Sequence, residues 1–270
     1  MDQLSRNELR TLRALSHRRV RQRRGQVLVE GFRALGQARE AGVGIEFVAL
    51  TPEAAGSPEG VELVARAARE GLPVRALEPH LCAEICATVT PPGVVALVRW
   101  SPLHRPDPDD LAQRLRSGAV HSVLALDAVA DPGNAGTLVR TARAFGVTGI
   151  VFGRGAVDPT SPKVIRSSAG TILAVPCLAY GVDLPAFLEH LPRPEWSILR
   201  AETAGGDHRP AVATGGKWIL LLGNEASGVS PGLREWGQAV SLPLAGGVES
   251  LNVAVAGGIL LHVLTEGQKS

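Results

Sequence analysis

Three stretches of the sequence share one pattern: a short apolar run passes into a loop rich in Gly, Pro or Asn. Val123–Asp127 leads into Ala128–Gly133, Trp218–Leu222 into Gly223–Gly228, and Ala239–Leu242 into a segment holding Gly246 and Gly247. Continuous apolar runs without polar alternation belong at the buried centre of a parallel sheet. Further strands are expected at Gly149–Phe152, Ile172–Val175 and Ser197–Ala201. Strands alternating with helices imply an α/β domain with helices on both faces of the sheet. One helix should follow Gly133, capped by Asn134 or a neighbour, and end at Phe145 with Gly146 in the C′ position. The last should run from Ser250, as N-cap, to about Leu264. Gly257 and Gly258 inside it cost about 1 kcal/mol each against Ala. A helix that carries this penalty and is apolar nearly all round is expected to pack closely on another element.

The first hundred residues carry a second α/β pattern. It reads as helix 5–23, strand Val27–Glu30, helix Gly31–Ala41, strand Ile45–Leu50, helix Val61–Glu70, strand Pro73–Ala76, helix Leu81–Ala87 and strand Val94–Trp100. Ser101–Gly118, with Pro102, Pro106 and Pro108, reads as a linker holding one or two helical turns. The expected organisation is a small α/β domain over 1–100, a linker over 101–118 and a parallel-sheet α/β domain over 119–270.

Charge is unevenly spread. The chain's net charge is +2, yet residues 1–24 hold eight arginines against only Asp2 and Glu8. Arg6, Arg10 and Arg13 fall on one helix face, while Leu4, Leu9, Leu12 and Leu15 can face a core. Such a face suits phosphate binding; a solvated basic helix is the plainer alternative. Three cysteines, Cys82, Cys86 and Cys177, cannot all pair within the chain and suit a reducing cytoplasm. No apolar run reaches the roughly 18 residues of a membrane span, and no signal peptide is expected. Neither Cys82-x-x-x-Cys86 nor the histidines have metal-ligand spacing, so no metal is expected. The dinucleotide fingerprint Gly-x-Gly-x-x-Gly is absent after Val123–Asp127, and Trp218 follows Lys217 where a P-loop needs Ser or Thr. Both absences argue against a dehydrogenase or a P-loop enzyme.

Taken together, three segments resemble the motifs of the SpoU/TrmH group of RNA ribose 2′-O-methyltransferases in the SPOUT superfamily. They are Asp131-Pro132-Gly133-Asn134-Ala135-Gly136 with Arg140, Leu222-Gly223-Asn224-Glu225 with Gly228, and Leu242-Pro243-Leu244 through Ser250-Leu251-Asn252-Val253. The segment 158–170, including Arg166-Ser167-Ser168-Ala169-Gly170, is similar to the group's middle segment, without the aromatic residue common near Thr160. The arginine-rich start, Leu28-Val29-Glu30-Gly31 and Pro91-Pro92-Gly93-Val94-Val95-Ala96 are similar to the ribosomal-protein-like RNA-binding domain of many members.

The resemblance implies a C-terminal trefoil knot, a homodimer and S-adenosylmethionine as methyl donor. It assigns Thr203, Leu222, Gly223, Asn224, Gly228, Leu242, Leu244 and Leu251 to the donor, with Asn134, Glu225, Ser250 and Asn252 positioning the reacting groups. Arg140 is the catalytic residue it nominates, either accepting the hydroxyl proton or stabilising the developing alkoxide. Arg6, Arg10, Arg13, Arg18, Arg19, Arg24, Arg33, Arg166 and Ser168 are the implied RNA contacts. Ribosomal RNA is the favoured substrate, transfer RNA the alternative. A catalytically silent RNA-binding or ribosome-assembly protein is the rival class, against which the joint presence of Asn134, Arg140, Glu225, Ser250 and Asn252 speaks.

Overall fold

The computed structural model describes residues 1–86, 88, 90–102, 108–191, 195–203, 205 and 216–266. The chain forms two units. The first comprises Met1–Ser101 together with Thr160–Ala174; the second comprises Pro102–Pro159 with Val175–Ser270. Residues 160–174, which the sequence groups with the second domain, thus have their contacts in the first unit. Ala87, the expected end of one helix, and 103–107 of the expected linker lie outside the described residues.

In the first unit β1 (Asp2–Gln3) precedes α1 (Arg6–Ala14) and α2 (Arg18–Arg24). There follow β2 (Gln26–Glu30), α3 (Phe32–Glu40), β3 (Gly44–Leu50), α4 (Pro52–Gly56), α5 (Pro58–Glu70), β4 (Val74–Ala76), α6 (Pro79–Ile85) and β5 (Val94–Arg99). The sheet order is β1-β4-β3-β5-β2, with β5 antiparallel to β2 and β3 and the other pairs parallel. Leu12, Leu15, Leu28, Phe47, Leu77 and Leu97 form the core.

The single helix expected over 5–23 is two helices. A capping box between Ser5 and Glu8 starts α1, and the chain leaves the helical path at Leu15–His17. The break is held by Arg21, which is 5% exposed. Its guanidinium donates to the Leu15 and Ser16 carbonyls, both at 2.8 Å, and to Thr160 Oγ1 at 3.0 Å. One member of the arginine run is therefore structural, and periodicity alone does not single it out.

The second unit opens with α7 (Pro108–Arg116), a longer helix than the linker was expected to hold. β6 (Ser122–Leu126), α8 (Pro132–Ala144) and β7 (Gly149–Gly153) follow. The chain then passes through the first unit as α9 (Pro162–Ser167) and a 3₁₀ turn, Thr171–Leu173. This turn replaces the strand expected at Ile172–Val175. At Gly170, φ is +82° and an added Cβ would lie 2.6 Å from Ala34 Cα, so the backbone presses on α3 and cannot extend. The edge strand is instead β8 (Cys177–Val182), followed by α10 (Leu184–Glu189), β9 (Trp196–Ala201), β10 (Lys217–Leu222), β11 (Gln238–Val240) and α11 (Val253–Glu266).

All six strands of this sheet are parallel, in the order β11-β9-β10-β6-β7-β8. From β6 the chain winds outward to β7 and β8; it then crosses to the other half. The strand order reverses between β6 and β10, the place where open α/β sheets hold ligands beyond their C-terminal ends. Asp131 caps α8, accepting from Asn134 N at 2.7 Å, and Gly146, at φ +75°, follows its last turn. α11 begins later than expected. Asn252, rather than Ser250, caps it: Asn252 Oδ1 accepts from Ala254 N at 2.9 Å and Val255 N at 3.3 Å, while Ser250 and Leu251 stay outside the helix. Cys82, Cys86 and Cys177 are buried and free, and burial pushes the Cys177 thiol up to about 12. No described helix is long and apolar enough to cross a membrane.

The two glycines of α11 do different work. A Cβ at Gly257 would fall 2.5 Å from Leu138 Cδ2 and 2.6 Å from Leu222 Cδ1, so α11 lies tightly on α8 and β10 there. At Gly258 it would meet only Thr141 Cγ2, at 3.5 Å. Gly257→Ala is therefore expected to destabilise the protein by about 1–3 kcal/mol through overpacking. Gly258→Ala is expected to be neutral or to add up to about 1 kcal/mol from helix propensity. Urea unfolding midpoints of the two variants against the parent separate these outcomes.

Candidate active site

The C-terminal ends of β9 and β10 and the segment between β11 and α11 enclose a cavity of about 590 Å³ within the second unit. That size suits a nucleoside-sized ligand. Leu222, Gly223, Asn224, Glu225 and Gly228 line it from the loop after β10; Thr203 lines it from just beyond β9. Leu242, Leu244, Ser250, Leu251 and Asn252 line it from the final segment. Of the residues assigned to donor binding, positioning and catalysis, all but Asn134 and Arg140 belong to this lining.

The loop after β10 has one permitted shape. Asn224 and Gly228 exchange backbone hydrogen bonds at 3.0 and 2.9 Å. A Cβ at Gly223 would overlap the Gly228 backbone, and Gly228 itself sits at φ +69°. Asn224 Oδ1 accepts from Ala226 N and Ser227 N, while its Nδ2 donates to the Ala128 carbonyl at 2.9 Å. The Asn224 side chain thus spends its hydrogen bonds on holding the loop.

Asn134 joins three segments. Its Nδ2 donates to Glu225 Oε1 at 2.9 Å, and its Oδ1 accepts from Asn252 Nδ2 at 3.0 Å. The start of α8, the loop after β10 and the entry to α11 meet at this one carboxamide. Arg140 lies further along α8, exposed and outside the cavity lining, and its side chain makes no hydrogen bond or ion pair to any described residue. Its guanidinium is free to meet an incoming group.

The charge of the lining is one-sided. Among the described residues Glu202, Glu225 and Glu249 line the cavity, and no Lys or Arg does. Glu202 and Glu249 were not among the residues singled out by sequence; an isolated Glu in a loop gives no signal of its own. Asp127 and Ser230 were missed too. Asp127 ends β6's apolar run and is 5% exposed, and its carboxylate accepts from Ser230 N and Oγ. A charged residue closing a wholly apolar strand was the signal that could have found it. Among the described residues, no cluster of three or more His, Cys, Asp or Glu is placed to hold a metal.

In the first unit Arg6, Arg10, Arg13, Arg18, Arg19, Arg24 and Arg33 are all exposed or partly exposed. Arg13 is paired with Glu84 at 2.6 Å, and Arg24 reaches Thr11 and Gln26. Arg166 is partly exposed, with Nη1 3.5 Å from the buried Glu30 carboxylate. Ser168 is fully buried, its hydroxyl donating to Ile165 O and accepting from Ile172 N. It serves the turn after α9 and offers no surface for RNA.

Comparison with known proteins places this geometry in a family. The SpoU rRNA Methylase family model matches residues 121–262, and the MRM3-like substrate binding domain matches residues 6–96. The chain is 33% identical, over 94% of its length and 89% of the relative's, to an uncharacterized tRNA/rRNA methyltransferase of Synechocystis. It is 29% identical to a 23S rRNA (uridine(2479)-2′-O)-methyltransferase of Streptomyces viridochromogenes, over 92% of this chain and 85% of the other. The crystal structure of an AdoMet-bound rRNA methyltransferase from Sinorhizobium meliloti superposes with a TM-score of 0.77 at 26% identity, covering 97% of this chain and 95% of that one. The family match takes in the whole region that builds the cavity, and the chain belongs to the SpoU rRNA methylase family.

Proposed function

We propose that the protein transfers a methyl group from S-adenosylmethionine to a ribose 2′-hydroxyl of ribosomal RNA. The observation that carries this reading is the cavity at the strand ends, lined among the described residues by three glutamates and no basic side chain. A nucleotide phosphate is disfavoured there, whereas a donor bearing sulfonium and ammonium charges is complemented. Ribosomal RNA, rather than another RNA, is supported by the activities named for the Streptomyces and Sinorhizobium relatives, both of them rRNA methyltransferases.

When bound, S-adenosylmethionine supplies an electrophilic methyl group. Leu222, Gly223, Leu242, Leu244 and Leu251 hold the donor through backbone groups and apolar contact, with Thr203, Asn224 and Gly228 completing the loop walls. Glu225, Ser250 and Asn252, the first and last of them tied together through Asn134, orient the ribose. Arg140 takes the hydroxyl proton or stabilises the developing alkoxide. Orientation of this kind is worth roughly 7–11 kcal/mol of barrier. Residues 1–100 hold the RNA through phosphate contacts from Arg6, Arg10, Arg18, Arg19, Arg24 and Arg33, while Arg13 and Arg166 join on release from Glu84 and Glu30. A ribose hydroxyl exists only in RNA, so the chemistry itself selects against DNA.

The proposed enzyme is a cytoplasmic homodimer. α8 and α11 leave an apolar groove lined by Thr137, Thr141, Phe145, Val255, Ile259 and His262, in which Val255 is 52% and Ile259 41% exposed. A second copy covering this face removes those side chains from water. The trefoil knot of the family fits a chain that lays β11 at the sheet edge beyond β9 and then returns α11 across β10 to α8.

Two outcomes test this reading. Arg140→Ala is expected to lower methyl incorporation from labelled donor into unmodified ribosomal RNA by about 100-fold or more, with S-adenosylhomocysteine affinity retained. Full activity of that variant, or equal methylation of DNA of the same sequence, would overturn it. Ile259→Arg is expected to convert a dimer to a monomer in light scattering, since an arginine in the apolar groove leaves a desolvated charge.

A further inference from the structure

The loop 224–230, one wall of the cavity, is gripped at both ends by two consecutive residues that do not line the cavity themselves. At its far end the Asp127 carboxylate takes both donors of Ser230, the backbone N–H at 2.6 Å and the hydroxyl at 2.9 Å. At its near end the Asn224 side-chain amide donates to the Ala128 carbonyl at 2.9 Å. Ala128 sits at φ +54°, a left-handed conformation that residues other than glycine adopt rarely. Backbone strain of this kind persists only where surrounding bonds over-determine it. Asp127 is itself fixed, since its N–H donates to the Leu222 carbonyl at 2.8 Å across the reversal between β6 and β10.

The energetics favour a dedicated anchor over an incidental contact. A carboxylate that is 5% exposed is unfavourable unless its lone pairs are satisfied. Here one residue, Ser230, satisfies both oxygens with charge-assisted bonds, and neither bond depends on a long flexible side chain. Apart from the bond Glu225 accepts from Asn134 on α8, the other hydrogen bonds of the Asn224–Gly228 turn are local, so they shape the turn without attaching it to the sheet. Released at Ser230, the loop would have to be ordered at the expense of ligand binding.

We propose that Asp127 is a positioning residue which, through Ser230, locks the loop 224–230 in the conformation that receives the methyl donor. This rests on the reading of the cavity as the donor site. Asp127 acts through Ser230 and touches neither donor nor RNA, so its loss falls on the donor's KM more than on kcat.

The test uses the full chain with S-adenosylhomocysteine as probe. Ser230→Ala deletes one hydroxyl, and Asp127→Asn removes the charge. Each is expected to raise the calorimetric Kd by about tenfold. The double variant should bind no more weakly than the weaker single one, because both remove the same link. Ser230→Thr, which keeps both donors, should restore affinity. Hydrogen exchange at amides 224–230 should quicken in Ser230→Ala while β6 and β10 stay protected, a pattern that a general loss of stability would not give. Unchanged affinity and unchanged exchange in Ser230→Ala would overturn the proposal even if Asp127→Asn failed to fold. A parent protein that bound no S-adenosylhomocysteine would remove the donor-site reading, and exchange in Ser230→Ala alone would then decide the anchor.

Discussion

The candidate site hangs on one carboxamide. Asn134 must give a hydrogen bond to Glu225 and accept one from Asn252 at the same time. A carboxylate at that position would face Glu225 with like charge, and a hydroxyl is too short to span both partners. The Asn carboxamide offers a donor and an acceptor on one uncharged planar group, and its short chain suits the first turn of a helix. Through this residue three loops that are remote in sequence become one surface. On the proposed reading, that surface orients a ribose hydroxyl beside the donor.

That convergence requires the right scaffold. Parallel strands end in the same direction, so the loops after β6, β9 and β10 leave the sheet on one side. The final segment reaches the same place because α11 returns over β10 to α8, and it can do so only where Gly257 lets Leu138 and Leu222 approach its backbone. The missing side chain is therefore not a defect of the helix. The helix propensity lost at Gly257 is offset by burial of two leucines against the backbone, and that contact fixes where Asn252 stands.

Much of this was legible in the sequence, and the reasons differ from part to part. The strands β6 and β10 announced themselves as unbroken apolar runs, and the paired glycines announced a close helix contact. The loop segments carried enough unusual residues at fixed spacing to identify the family before any geometry was known. What escaped was set by tertiary contacts. Ile172–Val175 is apolar because it is buried in the protein, and burial alone does not distinguish a strand from a 3₁₀ turn. The break between α1 and α2 depends on Arg21 reaching Thr160, 139 residues away. Ser250 is as good an N-cap by composition as Asn252, and the choice falls to Asn252, whose side chain can both cap α11 and reach Asn134. Ser168 reads as an exposed polar residue in a basic segment, yet its hydroxyl closes a turn.

The electrostatic layout follows from what methyl transfer to RNA asks of a protein. The donor carries positive charge and the acceptor chain carries negative charge, so no single field suits both. Among the described residues the charged side chains lining the cavity are all glutamates, while eight arginines stand within residues 1–24. Arg140, on the helix that also supplies Asn134, is a cation whose side chain is free and outside that lining. Were it inside the glutamate-lined cavity, it would be drawn into ion pairs there and its charge would be spent. On the proposed reading, its place outside the lining keeps its charge for the RNA that arrives last. The same separation, on that reading, accounts for an anchor that is a carboxylate bonded to a serine and not a salt bridge, since a cation at position 230 would place positive charge on the loop that has to receive one.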